Sequence, residues 1–94
     1  AIFCRDCLVH FPLSLAQKTI ENFIASQSRY LFLTTFPSVK KNTEARLGSW
    51  RPINMQSAPF NFPDPILLLK DRVPSPGDRY ADKSVGVWVL GDLK

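Results

Sequence analysis

Three residues near the start of the chain, Arg5, Asp6 and His10, are of types that hold a bound molecule or move a proton on it. They follow the apolar run Ile2-Phe3-Cys4, which reads as a strand of about residues 2–5. In open α/β sheets, ligands bind in the crevice outside the carboxyl ends of the strands. Asp6 and His10 are therefore the candidate catalytic groups, and Arg5 is a candidate substrate contact. The competing reading makes Asp6 the cap of a turn, Arg5 its partner and His10 a packed loop residue. Cys4, Cys7 and His10 also have the spacing C-x-x-C-x-x-H, which invites a zinc reading. Structural zinc takes four ligands, commonly as two separated pairs. The chain holds two cysteines and one histidine in all, so a second pair of these ligands does not exist. The expectation is no metal, no redox pair, and buried free thiols.

Thr34 and Thr35 end a second apolar run at the same crevice edge, where a hydroxyl can touch a ligand. The alternative is two β-branched residues finishing a strand. A Ser-His-Asp arrangement has no support, with one histidine and no context for a nucleophile.

These residues need elements to carry them. Ser14 with Gln17 three residues on fits a capping box. Ala16, Ile20, Phe23 and Ile24 then fall on one helical face, and Lys18, Glu21 and Asn22 point away. The spacing predicts a helix over 14–26. Arg29–Thr35 is continuously apolar at Tyr30-Leu31-Phe32-Leu33, which suits a parallel strand covered on both faces. Strand, helix, strand makes one right-handed crossover unit. Pro37 stops the second strand. Pro52, Pro59, Pro63 and Pro65 exclude a helix through 52–65. That stretch still holds Trp50, Ile53, Met55, Phe60 and Phe62 nearby, so the long Pro-rich loop is expected to fold back over a sheet edge or pocket. Ile66–Leu69 and Val85–Leu90 read as two more strands, with a turn signal at Ser75-Pro76-Gly77-Asp78 between them. Two strands so joined are most simply antiparallel. Gly86 inside the last strand suggests a close approach by another backbone.

Length and composition bound the rest. Ninety-four residues make one domain over 1–94, and 45% hydrophobic with 12% aromatic residues is ample for a core. The net charge is +4, but the twelve basic residues are scattered and only Lys40 and Lys41 adjoin. This favours a solubility role over a nucleic-acid footprint. No stretch nears the roughly 20 apolar residues of a membrane span. No basic segment with an apolar core opens the chain as in a signal peptide. Two cysteines make no disulfide framework, so the expected setting is the reducing cytoplasm.

The local sequence resembles the second half of a class I (Rossmann-like) AdoMet-dependent methyltransferase. "IFCRDCLVHF" is similar to its fourth-strand segment and the loop after it, and "YLFLTTFP" to its fifth strand. "GSWRPINMQSAPFNFPDPILLLKD" and "YADKSVGVWVL" resemble its sixth- and seventh-strand region. The "WRPINMQSAPFNFP" run is the most specific part. The resemblance implies a partial Rossmann-like sheet of about four strands, in the order 1-2-4-3, with the last strand antiparallel. One main helix and the Pro-rich loop accompany it. It also implies that the loop after the first strand lies beside the transferred methyl group, where Asp6 or His10 orients or deprotonates an acceptor. Thr35, Trp50, Arg51 and Asn54 become substrate-side residues, with Trp50 and Arg51 as a stacking wall for a planar or cationic acceptor.

The cofactor half of that family is not found in these residues. AdoMet there rests on a Gly-rich turn after the first strand, with an acidic residue on the ribose. The four glycines here, at 48, 77, 86 and 91, form no G-x-G. No cofactor-binding residue is therefore assigned, and AdoMet enters only if a partner chain supplies the Gly-rich half. An apolar first-strand edge or helix face left without neighbours must be hidden, so the expectation is a homo-oligomer. Three functions follow: a methyltransferase-derived module, non-catalytic alone and self-associating; the acceptor-binding half of a split AdoMet-dependent methyltransferase; or a basic interaction protein, whose affinity would fall steeply with salt.

Overall fold

The computed structural model describes residues 1–71 and 80–93. The chain runs β1 (Ile2–Cys4), a 3-10 turn (Leu8–His10), α1 (Leu13–Ala25), β2 (Tyr30–Thr35), β3 (Leu67–Lys70), β4 (Ser84–Val89) and a closing 3-10 turn (Leu90–Leu93). The strands form one mixed sheet in the order β1-β2-β4-β3. β1 and β2 are parallel, and β4 is antiparallel to both β2 and β3. β4 is thus the one reversed strand, inserted between the second and third, as expected from the sequence. The turn signal at Ser75–Asp78 lies outside the described residues.

The helix begins one residue earlier than its capping signal. Pro12 occupies the N-cap with φ −54° and ψ 153°, and no side chain caps the first turn from there. The capping box of Ser14 and Gln17 does not form. A proline brings no hydroxyl, and its extended ψ delivers the chain into the helix at Leu13, so Ser14 already lies inside the first turn. A distant residue does the work instead. Glu44 Oε1 accepts the Leu13 N–H at 2.7 Å and the Ala45 N–H at 3.0 Å. These two amide bonds hold the Glu44 carboxyl below the usual range. The carboxylate also stands at the positive end of the helix dipole.

Register divides the sheet into two faces. Cys4, Leu31, Leu33 and Trp88 point to the side covered by α1, where Ala16 and Ile20 meet them. Ile53, Met55 and Phe62 from the irregular segment after β2 complete that core. Leu31, Leu33, Ile53 and Met55 are fully buried, each worth about 1.5–3 kcal/mol of hydrophobic transfer. The irregular segment is tied to the sheet by its backbone: Phe36 N–H donates to Ile53 O at 2.8 Å, and Met55 N–H donates to Thr35 Oγ1 at 3.0 Å. Trp88 Nε1 donates to Pro63 O at 2.8 Å, which satisfies the indole deep in the core. Gly86 makes room for this ring. A Cβ at Gly86 would meet the six-membered ring of Trp88 inside contact distance. The close approach expected at Gly86 therefore comes from an indole, not a second backbone.

The other face carries the row Phe3, Phe32, Val87 and Leu67 across all four strands. Phe3 stacks on Phe32 with ring centroids 5.6 Å apart. Phe3 and Leu67 are exposed. No described helix lies on this side.

Candidate functional site

The site lies where β1 ends and β4 begins. Asp6 follows β1 with φ +55°, in the left-handed region where Asp is among the few tolerated non-glycine residues. Its N–H donates to Thr34 Oγ1 at 2.9 Å, so the end of β2 fixes the turn. The turn aims the Asp6 carboxylate at Lys83, which precedes β4; Nζ and Oδ1 are 2.6 Å apart. Lys83 Nζ is also 3.0 Å from Asp71 Oδ2. That approach is an ion pair off the hydrogen-bonding direction, because Asp71 Oδ2 is buried without a hydrogen bond. Asp71 Oδ1 accepts from Arg5 Nε at 2.8 Å. Arg5 Nε is 3.9 Å from Asp6 Oδ2, which closes a ring of four charges. Since β1 and β3 are opposite edges of the sheet, the Arg5–Asp71 bond spans the ends of β2 and β4.

The charges set one another. Burial is the largest influence on Asp71 and pushes its carboxyl up; Lys83 and Arg5 together outweigh it and hold the group below its ordinary 3.8. Burial likewise pulls on Lys83, and Asp6 and Asp71 more than offset it, raising the ammonium above 10.5. At neutral pH Asp71 and Lys83 are therefore both ionised. A protonated lysine and a paired, depressed aspartate are poor proton acceptors, so neither Lys83 nor Asp71 offers a base here.

Beside the ring stands an aromatic group. Trp50 is exposed and packs on Tyr80, with centroids 4.9 Å apart and planes at 71°. Phe36, buried just past β2, meets both rings edge-on at 5.9 Å. Ser38 N–H donates to Asp82 Oδ2 at 2.6 Å and ties the two strand ends together.

Of the residues singled out from sequence, Arg5 and Asp6 meet in the ring and Trp50 stands in the aromatic group. His10 lies apart. Its Nδ1 is 2.9 Å from Ser49 O. A carbonyl only accepts, so Nδ1 carries a proton in this bond. His10 O in turn accepts from Gly48 N–H, which straps the loop at 48–51 across the 3-10 turn.

Thr35, Arg51 and Asn54 are buried and bonded within the chain. Thr35 Oγ1 accepts from Met55 N–H. Arg51 Nε donates to Thr43 O at 2.7 Å, Nη1 to Leu8 O and Val9 O at 3.0 and 3.2 Å, and Nη2 to Phe11 O at 2.6 Å. Burial pulls the Arg51 guanidinium below its ordinary value, and Glu44 opposes this. Asn54 Nδ2 donates to Pro37 O and Val39 O, and Asn42 Nδ2 donates to Asn54 O. These side chains close the irregular segment onto the end of the sheet.

Asp71 and Lys83 carried no signal in the sequence. Their relevance comes from position: each stands at the crevice end of a strand, in register with the other. Asp71 N–H donates to Lys83 O at 3.1 Å. A rule that collects charged residues from all strand ends on one side would have gathered both.

The Cys4 thiol has no ionic role here. Burial first, then the neighbouring Cys7, pushes the Cys4 thiol up to about 12. A thiol that high supplies no thiolate at neutral pH. Among the described residues no three His, Cys, Asp or Glu side chains gather as a metal-binding group. Among the same residues no helix is long and apolar enough to cross a membrane. The chain matches no protein-family model, no curated protein and no solved structure.

Proposed function

We propose that the chain is a methyltransferase-derived module that makes no AdoMet contacts of its own and associates with itself. The observation that carries this reading is the reversed β4 inserted between β2 and β3. That order and direction are what the resemblance implies for the closing strands of a class I methyltransferase sheet. The glycine content supports the missing cofactor contacts: no G-x-G occurs, and Gly86 lies under the Trp88 ring. The free thiols of Cys4 and Cys7 accord with a cytoplasmic setting. Calorimetry with AdoMet titrated into the protein alone is the test. The expected result is no heat of binding; micromolar binding would overturn the proposal.

A second reading is the acceptor-binding half of a split methyltransferase. It is favoured by one feature, the exposed Trp50 on Tyr80 at the same strand ends as Asp6. There Asp6 orients the acceptor and the indole stacks on it. This reading expects AdoMet binding only after a chain carrying the Gly-rich half is added. A ternary mixture that still binds none would rule it out.

A further inference from the structure

β3 is an edge strand that has not been blunted. Natural edges are commonly protected by charges, proline or a covering segment. Here Ile66, Leu67, Leu68 and Leu69 are 59%, 51%, 47% and 43% exposed, four consecutive aliphatic residues open on both faces of the sheet. Its inner neighbour β4 is buried along almost its whole length. Among the described residues, no strand pairs with the outer side of β3. The other edge, β1, has three residues, and only Phe3 is exposed there.

The charges that flank β3 say what covers it. Asp64 stands before the apolar run and Lys70 ends it, and both are exposed. Lys70 has no ion pair among the described residues, and Asp64 holds only a hydrogen bond from Gln56 Nε2, at 2.8 Å. The pattern is negative, apolar, positive. Two such strands laid antiparallel about a two-fold axis set the negative end of each beside the positive end of the other. Parallel pairing would set like beside like.

We infer that β3 is a dimerisation strand, and that its occupant is β3 of a second copy of this chain, paired antiparallel with Asp64 of each copy beside Lys70 of the other. The eight-stranded sheet that results is an isologous, closed assembly. The open halves of the four aliphatic side chains, with the backbone edge and the Lys70 stem, amount to roughly 500 Å² per copy, so the pair buries on the order of 1,000 Å², near the lower bound for a specific interface. The dimer is therefore weak and concentration-dependent. The inference deepens the self-association part of the reading above and rests on it, but not on the methyltransferase ancestry.

Sedimentation equilibrium of the whole chain, from about 1 to about 300 µM, brackets a micromolar constant. A monomer–dimer equilibrium is expected. Leu68→Lys, at an exposed position, raises the dissociation constant at least about tenfold, with the circular dichroism spectrum and melting curve retained. Lys70→Glu and Asp64→Lys each weaken the dimer by setting like charges together at both ends. The double variant Asp64→Lys with Lys70→Glu restores it. A chain that stays monomeric throughout overturns the inference. So does a dimer that Leu68→Lys leaves intact, which moves the contact to β1 or to α1. Single charge reversals that the double variant fails to rescue overturn the antiparallel pairing. AdoMet is absent from every arm, so none of these outcomes bears on the cofactor part of the proposed function.

Discussion

Two polar clusters sit at the same end of the sheet and use their side chains in opposite ways. In one, Arg51, Asn42 and Asn54 are buried and bond almost wholly to backbone carbonyls and amides. In the other, Arg5, Asp6, Asp71 and Lys83 bond to one another, with Arg5 and Asp6 reaching solvent. The first cluster replaces the secondary structure that the Pro-rich segment cannot form. Backbone groups in such a segment must find partners or water, and Arg51 supplies donors to four carbonyls at once. The second cluster is not needed to satisfy a backbone. Arg5 and Asp6 are held at strand ends with charge facing outward, over the more buried Asp71 and Lys83.

The comparison is breakable by substitution. The largest effect is expected at Arg51. Arg51→Ala takes a donor from four carbonyls, of which Leu8 O and Val9 O keep a backbone N–H, and leaves Thr43 O and Phe11 O without the guanidinium, at a cost of about 3–5 kcal/mol. Arg51→Lys recovers little of this, because an ammonium cannot reproduce the planar fork. Urea unfolding monitored by tryptophan fluorescence measures both; an Arg51→Lys protein as stable as the parent would move Arg51 out of the first cluster. Asn54→Ala is next. It removes donors to Pro37 O and Val39 O and an acceptor for Gln56 N–H, at a cost of about 2 kcal/mol.

The ring of charges has a smaller effect with a distinctive pH dependence. Asp71 is depressed in the folded state, so its contribution is present above the ordinary 3.8 and is lost as pH falls through the lower folded value. Lys83 is raised, so its contribution is present below 10.5 and is lost as pH rises through the higher folded value. Thermal melting across pH should show a plateau between those limits. Lys83→Met should remove the alkaline fall and shrink the acid one; a pH profile unchanged by Lys83→Met would dissolve the ring as an energetic unit. The smallest effect belongs to Trp50. Trp50→Ala costs about 0.5–1.5 kcal/mol, since the ring is exposed and makes edge contacts only. A larger loss would place Trp50 with the buried cluster.

Much of the fold was legible because the apolar pattern is strong. Arg29–Thr35 and Val85–Leu90 read as strands from their apolar runs, each within one residue of the observed Tyr30–Thr35 and Ser84–Val89, and the face of Ala16 and Ile20 read as helix from its period. The capping box was misleading because Ser14 and Gln17 have the right spacing but Ser14 stands two residues past the N-cap, which is Pro12. Glu44, which does cap the helix, is thirty-one positions away from Leu13, and no local rule finds it. The site was legible in its first half only. Arg5 and Asp6 were found because they directly follow a strand. Arg51 and Asn54 have the same side-chain types as binding residues, and only burial and carbonyl partners reveal what they bond.

From sequence alone came the things that local chemistry governs: where the chain is extended or helical, which side of each element is apolar, where proline forbids a helix, and the lack of a Gly-rich phosphate turn. Tertiary structure decided what depends on residues distant in the chain. It brought Asp71 sixty-six positions back to Arg5 and left β3 open at the edge of the sheet. The reason is that periodicity is a property of neighbours a few residues apart, whereas ion pairing and edge exposure depend on which strands lie side by side.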